Sequence, residues 1–402
     1  MPTHLKLAAA GCFPAGFRQS IAKNMRIAHF TNTFSPTISG VVQHVVILQQ
    51  ALRRLGHEVF IFTENRSTSQ PDDAQVFRYP TLDLRLPMDF PAIFPYSPRM
   101  ERIIAGLSLD VVHLHHPFSL SHRGLTLARR NDLPVVFTFH TQYWHHAHYV
   151  PFPFSTLGGK FINRRIARFV TQCDRVVVQS RAMQQVVRQR YPDLANVALV
   201  PGAVEPGCSR PGEGAAVRQQ LGWQDQLILL SVGRLGQEKN WTTFLEAAIL
   251  AMDALPNLCT AILGGGPEQA HLSRLGERHI KAGRLKLLGN VPPQDVPGYL
   301  AAADLFGFAS VTETLGRVIM EALAAGLAVV AVEAWSTGEF IRNGVEGYLT
   351  ANHAPALAAG FIKVLTDPQL REQLRAAGLT KAQAFDPRIE ARRLIKVYEQ
   401  VA

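Results

Sequence analysis

Apolar residues along the chain fall into two alternating spacings. Arg26–Thr31, with Ile27, Ala28 and Phe30, reads as a short apolar strand. Gly40–Leu55 follows with Val41, Val45, Leu48, Leu52 and Leu55 at helical spacing, Gly56 stops it, and Val59–Phe62 is the next run. Strand, helix, strand is the unit of a parallel sheet. Val111–Leu114, Val135–Phe139 and Val176–Gln179 continue the pattern. It restarts with strands at Leu227–Val232, Thr260–Leu263, Leu285–Leu288, Leu305–Phe308 and Ala328–Val332, and helices at Trp241–Ala251 and Arg317–Ala325. The Pro- and Gly-rich stretch Pro201–Gly214 separates the halves. The predicted fold is α/β, two doubly wound units. Ligands of such sheets bind beyond the carboxyl ends of the strands, so two facing sheets form a cleft with a ligand on each wall.

Composition agrees with this and removes other classes. A chain of 402 residues, 47% hydrophobic and 18% charged, can bury the cores of two or three domains. Cys12, Cys173, Cys208 and Cys259 lie far apart with no CxxC, which speaks against a disulfide framework or structural zinc. The longest apolar stretch, Ala322–Val332, is well short of the ~18–20 residues that span a bilayer. Residues 1–24 precede a second methionine, Met25, and are expected to be an extension outside the fold.

Charge is lopsided. Residues 1–200 hold 22 Lys and Arg against 11 Asp and Glu, and residues 201–402 hold 19 against 20. A positive field confined to the first half suits an anionic partner there. Nucleic acid is not expected, since no helix-turn-helix, zinc-finger or RNP-type signature occurs.

Four segments carry candidate chemistry. Phe34–Val41 joins the first strand to the first helix. Its Gly40 allows close approach of a phosphate or sugar to a helix N-terminus, although the turn lacks GxGxxG. Gly233–Asn240 places Arg234 and Lys239 at a strand's carboxyl end, where a fork of donors and a point charge can hold a departing diphosphate. Ser310–Ala322 puts Glu313 in a loop and Glu321 in the next helix, with Thr314, Leu315 and Gly316 forming the turn between them; carboxylates so placed can accept from vicinal hydroxyls, and Glu321 sits among apolar residues. Phe137–Trp144 ends another strand with His140. His113, His115, His116, His122, His145, His146 and His148 cluster nearby in sequence, but without His-x3-His spacing or paired cysteines, so no metal is expected. Asp-x-Asp is absent, which argues against a metal-bridged nucleotide diphosphate.

Gly233–Asn240 together with the Glu-x7-Glu element that runs into Glu321–Gly326 resembles glycosyltransferase family 4, over essentially Met25–Ala402. The resemblance implies the GT-B fold, two Rossmann-like domains across a cleft. It also implies transfer of a sugar from a nucleotide donor with retention of configuration, without an essential metal or other cofactor. By that resemblance Arg234 and Lys239 hold the donor diphosphate and Glu321 bonds the ribose. Glu313 meets the transferred sugar with the amides of Thr314, Leu315 and Gly316, and His140 stands near the sugar. Gly40 lies by the phosphate, although Ser39 replaces the glycine many members carry before it. The stretch from Leu288 to Val291 reads the base. The implied domains are 25–204 for the acceptor and 205–384 for the donor, with 385–402 a final helix returning to the first.

Phe139–Pro153 and Thr312–Gly316 look most similar to the branch that makes glycolipids, such as monoglucosyldiacylglycerol synthases. Lys160, Arg164 and Arg168 recur every four residues beside Ile162, Ile166, Phe169 and Val170, a basic face adjoining an apolar one. Tyr143, Trp144 and the Pro/aromatic stretch Leu82–Tyr96 are further candidates for an acceptor or interface contact. The expected enzyme moves a hexose, glucose from UDP-glucose first, to a lipid at an anionic membrane, peripheral on the cytoplasmic side. A soluble acceptor, another donor such as GDP-mannose, a GT-B epimerase and a non-catalytic nucleotide-sugar binder are the alternatives.

Overall fold

The computed structural model describes residues 24–37, 39–65, 73–85, 91–93, 96–143, 155–205 and 211–402. Trp144, Cys12, Cys208, His145, His146, His148, residues 1–23 and parts of Leu82–Tyr96 lie outside them.

The first half builds a seven-stranded sheet in the order Val76–Tyr79, Glu58–Glu64, Arg26–Phe30, Val111–Leu114, Val135–Phe139, Arg175–Val178, Val197–Leu199. Every pair in it is parallel. The second half builds six parallel strands in the order Leu285–Leu287, Leu258–Leu263, Leu227–Val232, Leu305–Phe308, Ala328–Val332, Tyr348–Thr350. In each sheet the strand order reverses beside the first strand of that half. Loops leaving the two strands at that reversal diverge to opposite faces and open a crevice at the carboxyl edge.

Helices cover both faces of each sheet, which is why the central strands are buried almost throughout rather than on alternate residues. On the first sheet Ala28, Phe30, Phe62, Phe137 and Phe139 pack one face. Ile27, Val59, Val111 and Val136 pack the other, against Val45, Leu48 and Leu52 of the helix Gly40–Arg54. The last helix, Pro387–Glu399, joins that second core through Ala391, Leu394 and Tyr398, so the chain's end is anchored on the first half. In the second half Leu229, Ile262 and Val330 meet the helices Trp241–Ala254 and Ala354–Thr366, while Leu230, Phe306 and Val329 meet Ile319, Met320 and Leu323.

Periodicity found the central strands and the helices Gly40–Arg54, Trp241–Ala254 and Arg317–Ala324; it missed the helices Ser119–Arg130, Ala354–Thr366 and Pro368–Ala382 and the edge strands Val76–Tyr79, Val197–Leu199 and Tyr348–Thr350, the last three too brief to display a period. Among the described residues no helix is long and apolar enough to cross a membrane. Cys173 and Cys259 are buried free thiols.

Two expectations about an exposed interface are corrected. Tyr143 is not at a surface: it is 7% exposed, edge-on to Phe118 and within the core around Phe139. The helix Ser155–Val170 does present Arg164 and Arg168 to solvent, but Ile166, Phe169 and Val170 are buried in the same core. Those three apolar residues are therefore used internally, which leaves the arginines as the outward face. The side chain of Lys160 lies outside the description.

Candidate active site

The carboxyl edges of the two sheets face each other across a cavity of about 920 Å³, near the upper end of ordinary small-molecule sites.

On the second half's wall, the loops after Leu227–Val232 and Leu305–Phe308 lie side by side because their strands are paired neighbours. The Trp241 indole N–H donates to Arg234 O at 2.7 Å and Thr312 Oγ1 donates to Glu238 O at 2.9 Å, so each loop is tied down. Lys239 Nζ donates to Glu313 Oε1 at 2.6 Å. Arg234 is exposed on the cavity lining and no carboxylate pairs with it among the described residues.

Gly316 takes φ +63°, a left-handed conformation that glycine adopts at least cost, and so starts the helix Arg317–Ala324. The amides of Arg317 and Val318 that open the helix have no acceptor one turn back, and both residues line the cavity. One turn on, Glu321 accepts from Arg317 Nε at 2.9 Å. Burial nonetheless raises the Glu321 carboxyl above its usual range, with Arg317 opposing the shift. Arg317 is the partner that a glutamate among apolar residues required.

Opposite stand Gly40, His44, His140, Gln142 and Gln179. Ser39 Oγ accepts from the Val42 N–H at 3.2 Å, so the departure from a glycine pair before Gly40 serves as a helix cap. His44 Nε2 meets Glu390 of the last helix at 2.5 Å, both buried. His140 follows Val135–Phe139 and is 8% exposed. His115 Nδ1 lies 2.9 Å from its Nε2, and His115 Nε2 lies 2.9 Å from His29 Nδ1. Desolvation, reinforced by neighbouring imidazoles, holds His113, His115 and His140 well below the ordinary histidine value and brings His29 down to about 3.

The walls touch. Thr314 Oγ1 donates to His140 O at 2.8 Å, Ser180 Oγ donates to Thr314 O at 2.7 Å, and Arg317 Nη1 donates to Ala203 O at 2.9 Å. The Glu339 carboxylate receives the Arg181 N–H at 2.8 Å, at the first turn of the helix Arg181–Arg190. These contacts bridge the two halves at one side of a shared, solvent-open chamber.

Of the residues singled out from the sequence, Arg234, Lys239, Glu313, Thr314, Leu315, Gly316, Glu321, Val291, Gly40 and His140 line it. Leu288 does not: its side chain packs on the core around Phe306, and its N–H donates to Ile262 O. Sequence reasoning missed His44, Gln179, Arg317 and the run Gly264–Gly266, which also line the cavity. Only the glycine run, placed after a strand, carried a readable signal. The histidines are also closer than their spacing suggested. His29, His113 and His115, and likewise His44, His115 and His140, bring ring nitrogens within 4.8 Å of one another.

Residues 38–207 match the model of Glycosyltransferase Family 4, and residues 215–381 match that of Glycosyl transferases group 1. The alpha-monoglucosyldiacylglycerol synthase of Acholeplasma laidlawii is 28% identical over 86% of this chain and 89% of its own length. The synthase of the same name from Streptococcus pneumoniae is 28% identical over 76% of this chain and 71% of its own. Among solved structures, HepE of Anabaena in complex with UDP-glucose covers 94% of this chain and 100% of its own, with a TM-score of 0.72 at 19% identity. The likeness in fold is to a GT-B enzyme, and the paired family matches adjoin one another along the sequence as the two sheets do in space. The chain belongs to glycosyltransferase family 4 and is a glycosyltransferase of GT-B architecture.

Proposed function

We propose that the chain transfers a hexose, glucose first among the candidates, from a UDP-sugar to a lipid hydroxyl such as that of diacylglycerol, with retention of anomeric configuration. The observation that carries this is the convergence of Arg234, Lys239, Glu313 and Glu321 on one wall of the cavity, with Gly40 and His140 on the other.

Arg234 and Lys239 hold the diphosphate and stabilise the charge that grows on it as the bond to the anomeric carbon breaks. Lys239 exchanges Glu313 for phosphate oxygens, which releases Glu313 to accept from the sugar hydroxyls. The amides of Leu315 and Gly316 serve the same sugar. Glu321, steadied by Arg317, accepts from the ribose hydroxyls, and Val291 and its neighbours border the base. His140 faces the sugar from the acceptor side.

Among the described residues, the acidic side chains lining the chamber are Glu205 of the stretch between the halves and Glu238, Glu313 and Glu321 of the second half, and none stands on the first sheet's loops beside His140. A covalent double displacement needs such a nucleophile beneath the anomeric carbon. Same-face departure and attack through an oxocarbenium-like ion pair fits better: the leaving phosphate oxygen takes the proton of the acceptor hydroxyl, and the protein supplies position and charge.

A lipid acceptor is favoured by the names of the two synthases and by the basic outward face of Arg164 and Arg168. Each arginine near an anionic surface adds ~1 kcal/mol of attraction, enough in combination for reversible attachment at the cytoplasmic leaflet. The test is a panel of UDP-glucose, UDP-galactose, UDP-GlcNAc and GDP-mannose against vesicles with and without diacylglycerol. Product lipid would be identified by mass and its anomeric configuration by NMR. A glucolipid with the donor's configuration is expected. Transfer only to water-soluble acceptors, or an inverted product, would overturn the reading.

A further inference from the structure

His29 and His115 have no part in the transfer reading, yet they stand in series behind His140. His29 lies on the strand Arg26–Phe30 and His115 just past its neighbour Val111–Leu114, at the reversal of the sheet order. Each is wholly buried. His115 uses both ring nitrogens, Nδ1 toward His140 Nε2 and Nε2 toward His29 Nδ1, each at 2.9 Å. The far nitrogen, His29 Nε2, is buried with no hydrogen-bond partner.

Burial keeps each ring neutral, so each carries one N–H. A series of three such rings can be hydrogen-bonded in only two senses. In one, His140 Nε2–H donates to His115, His115 Nε2–H donates to His29, and the hydrogen of His29 is left on Nε2 with nothing to receive it. In the other, His29 Nδ1–H donates to His115 Nε2, His115 Nδ1–H donates to His140 Nε2, and only a lone pair is left unpaired on His29. A buried N–H without an acceptor is the rarer and costlier of the two defects.

We propose that His29 and His115 are positioning residues that fix His140 as the Nδ1–H tautomer, so that the chamber is offered a hydrogen-bond donor suited to a hydroxyl oxygen of the transferred sugar. The sugar in that statement rests on the proposed function; the tautomer does not. A cation is the competing occupant of these rings. However, His113 already bonds Tyr398 and Thr138 at 2.7 Å through its two nitrogens, and His115 bonds two histidines, so a metal would have to break those contacts.

The test is nitrogen NMR of the full chain labelled at histidine, at pH 7.5, with His140 assigned by loss of its signals in His140→Gln. Hydrogen on Nδ1 and a bare Nε2 are expected for His140. His29→Leu should erase that preference and lower kcat about tenfold, roughly one hydrogen bond of positioning, with donor KM within about twofold. His29→Asn, whose amide nitrogen reaches near the place of Nδ1, should restore both. His115→Phe should act like His29→Leu; should it fail to fold, the His29 pair carries the test. Hydrogen on His140 Nε2, an imidazolium, an unchanged tautomer in His29→Leu, or a stoichiometric transition metal retained through chelation would each overturn the proposal. A protein inert toward every donor but showing the Nδ1–H form would remove the transfer reading and leave this inference standing.

Discussion

Lys239 and Glu313 are joined at 2.6 Å although 74 residues separate them, because their loops leave paired strands of the second sheet. The pair sits within the same lining as Arg234, so a diphosphate held by Arg234 competes with Glu313 for the ammonium. Lys239→Ala should lower transfer at least about 100-fold, the scale of removing a donor to developing charge. Since both side chains keep some exposure, unfolding should shift by only about 1–2 kcal/mol. Wild-type turnover in a purified, folded variant would contradict the assignment.

Glu321 gives a pH-linked test. Its carboxyl is raised by burial, so between the unfolded value near 4.5 and its folded value the native state binds the extra proton. Stability from this group is present at low pH and falls as pH rises through that window. Glu321→Gln removes the effect: relative to wild type it should hold its melting temperature or gain a little above pH 5. It should at the same time raise donor KM by about tenfold, one charge-assisted hydrogen bond. Melting curves between pH 4.5 and 8 and donor saturation would check both. A variant less stable than wild type at every pH would show that the Arg317 contact outweighs the burial.

What the sequence made legible was chemistry tied to local pattern. Arg234 and Lys239 stood out because a strand ends just before them, and Glu313 and Glu321 because a turn and one helix separate them. Readings failed where the answer depended on distant chain. His44 and Glu390 are 346 residues apart on two amphipathic helices, and only the docking of the last helix brings them together. Tyr143 was read as an interface residue because aromatics near a strand end fit a lipid edge and a core equally well, and only packing against Phe118 decides. Likewise the spacing of Arg164 and Arg168 announced an outward face, but not that Ile166 and Phe169 were committed to the interior.

Acid should unfold the first half steeply. His29, His113, His115, His116 and His140 are buried with lowered values, His116 to about 4. The unfolded chain binds protons at these rings below about pH 6.5 while the native chain does not. Their contribution is fully present above that value and is lost as pH falls toward the folded values. Going from pH 6.5 to 5.5 costs about 1 kcal/mol for each ring. Denaturant unfolding at pH 7.5, 6.5 and 5.5 should show several protons taken up. An unchanged midpoint would mean that these imidazoles are already charged in the fold.

The arginine face separates attachment from catalysis. Arg164 and Arg168 are exposed, so the double change Arg164→Glu with Arg168→Glu should leave melting unchanged. Each lost cation removes ~1 kcal/mol of attraction to an anionic leaflet, and repulsion adds to it, so vesicle binding should fall at least about thirtyfold at low salt. Co-sedimentation with anionic and neutral vesicles measures it. Equal binding to both by wild type would dismiss this face as the membrane contact.

Gly40 distinguishes occupancy from folding. It opens the helix Gly40–Arg54 on the cavity lining, and a Cβ there would meet nothing within 4 Å. A side chain at this position therefore has room in the protein itself, and any penalty must come from a ligand that approaches the backbone. Ser39 keeps its cap on Val42, so the helix start survives the change. Gly40→Ala should raise donor KM severalfold and Gly40→Val by more, with melting temperatures within a few degrees of wild type. The graded size dependence is the decisive readout, because a lost helix cap or a misfolded loop would damage both variants alike. Equal KM in Gly40, Gly40→Ala and Gly40→Val chains would mean that the donor phosphate never comes near this helix N-terminus, and the chamber would then have to be loaded from the second sheet's wall alone.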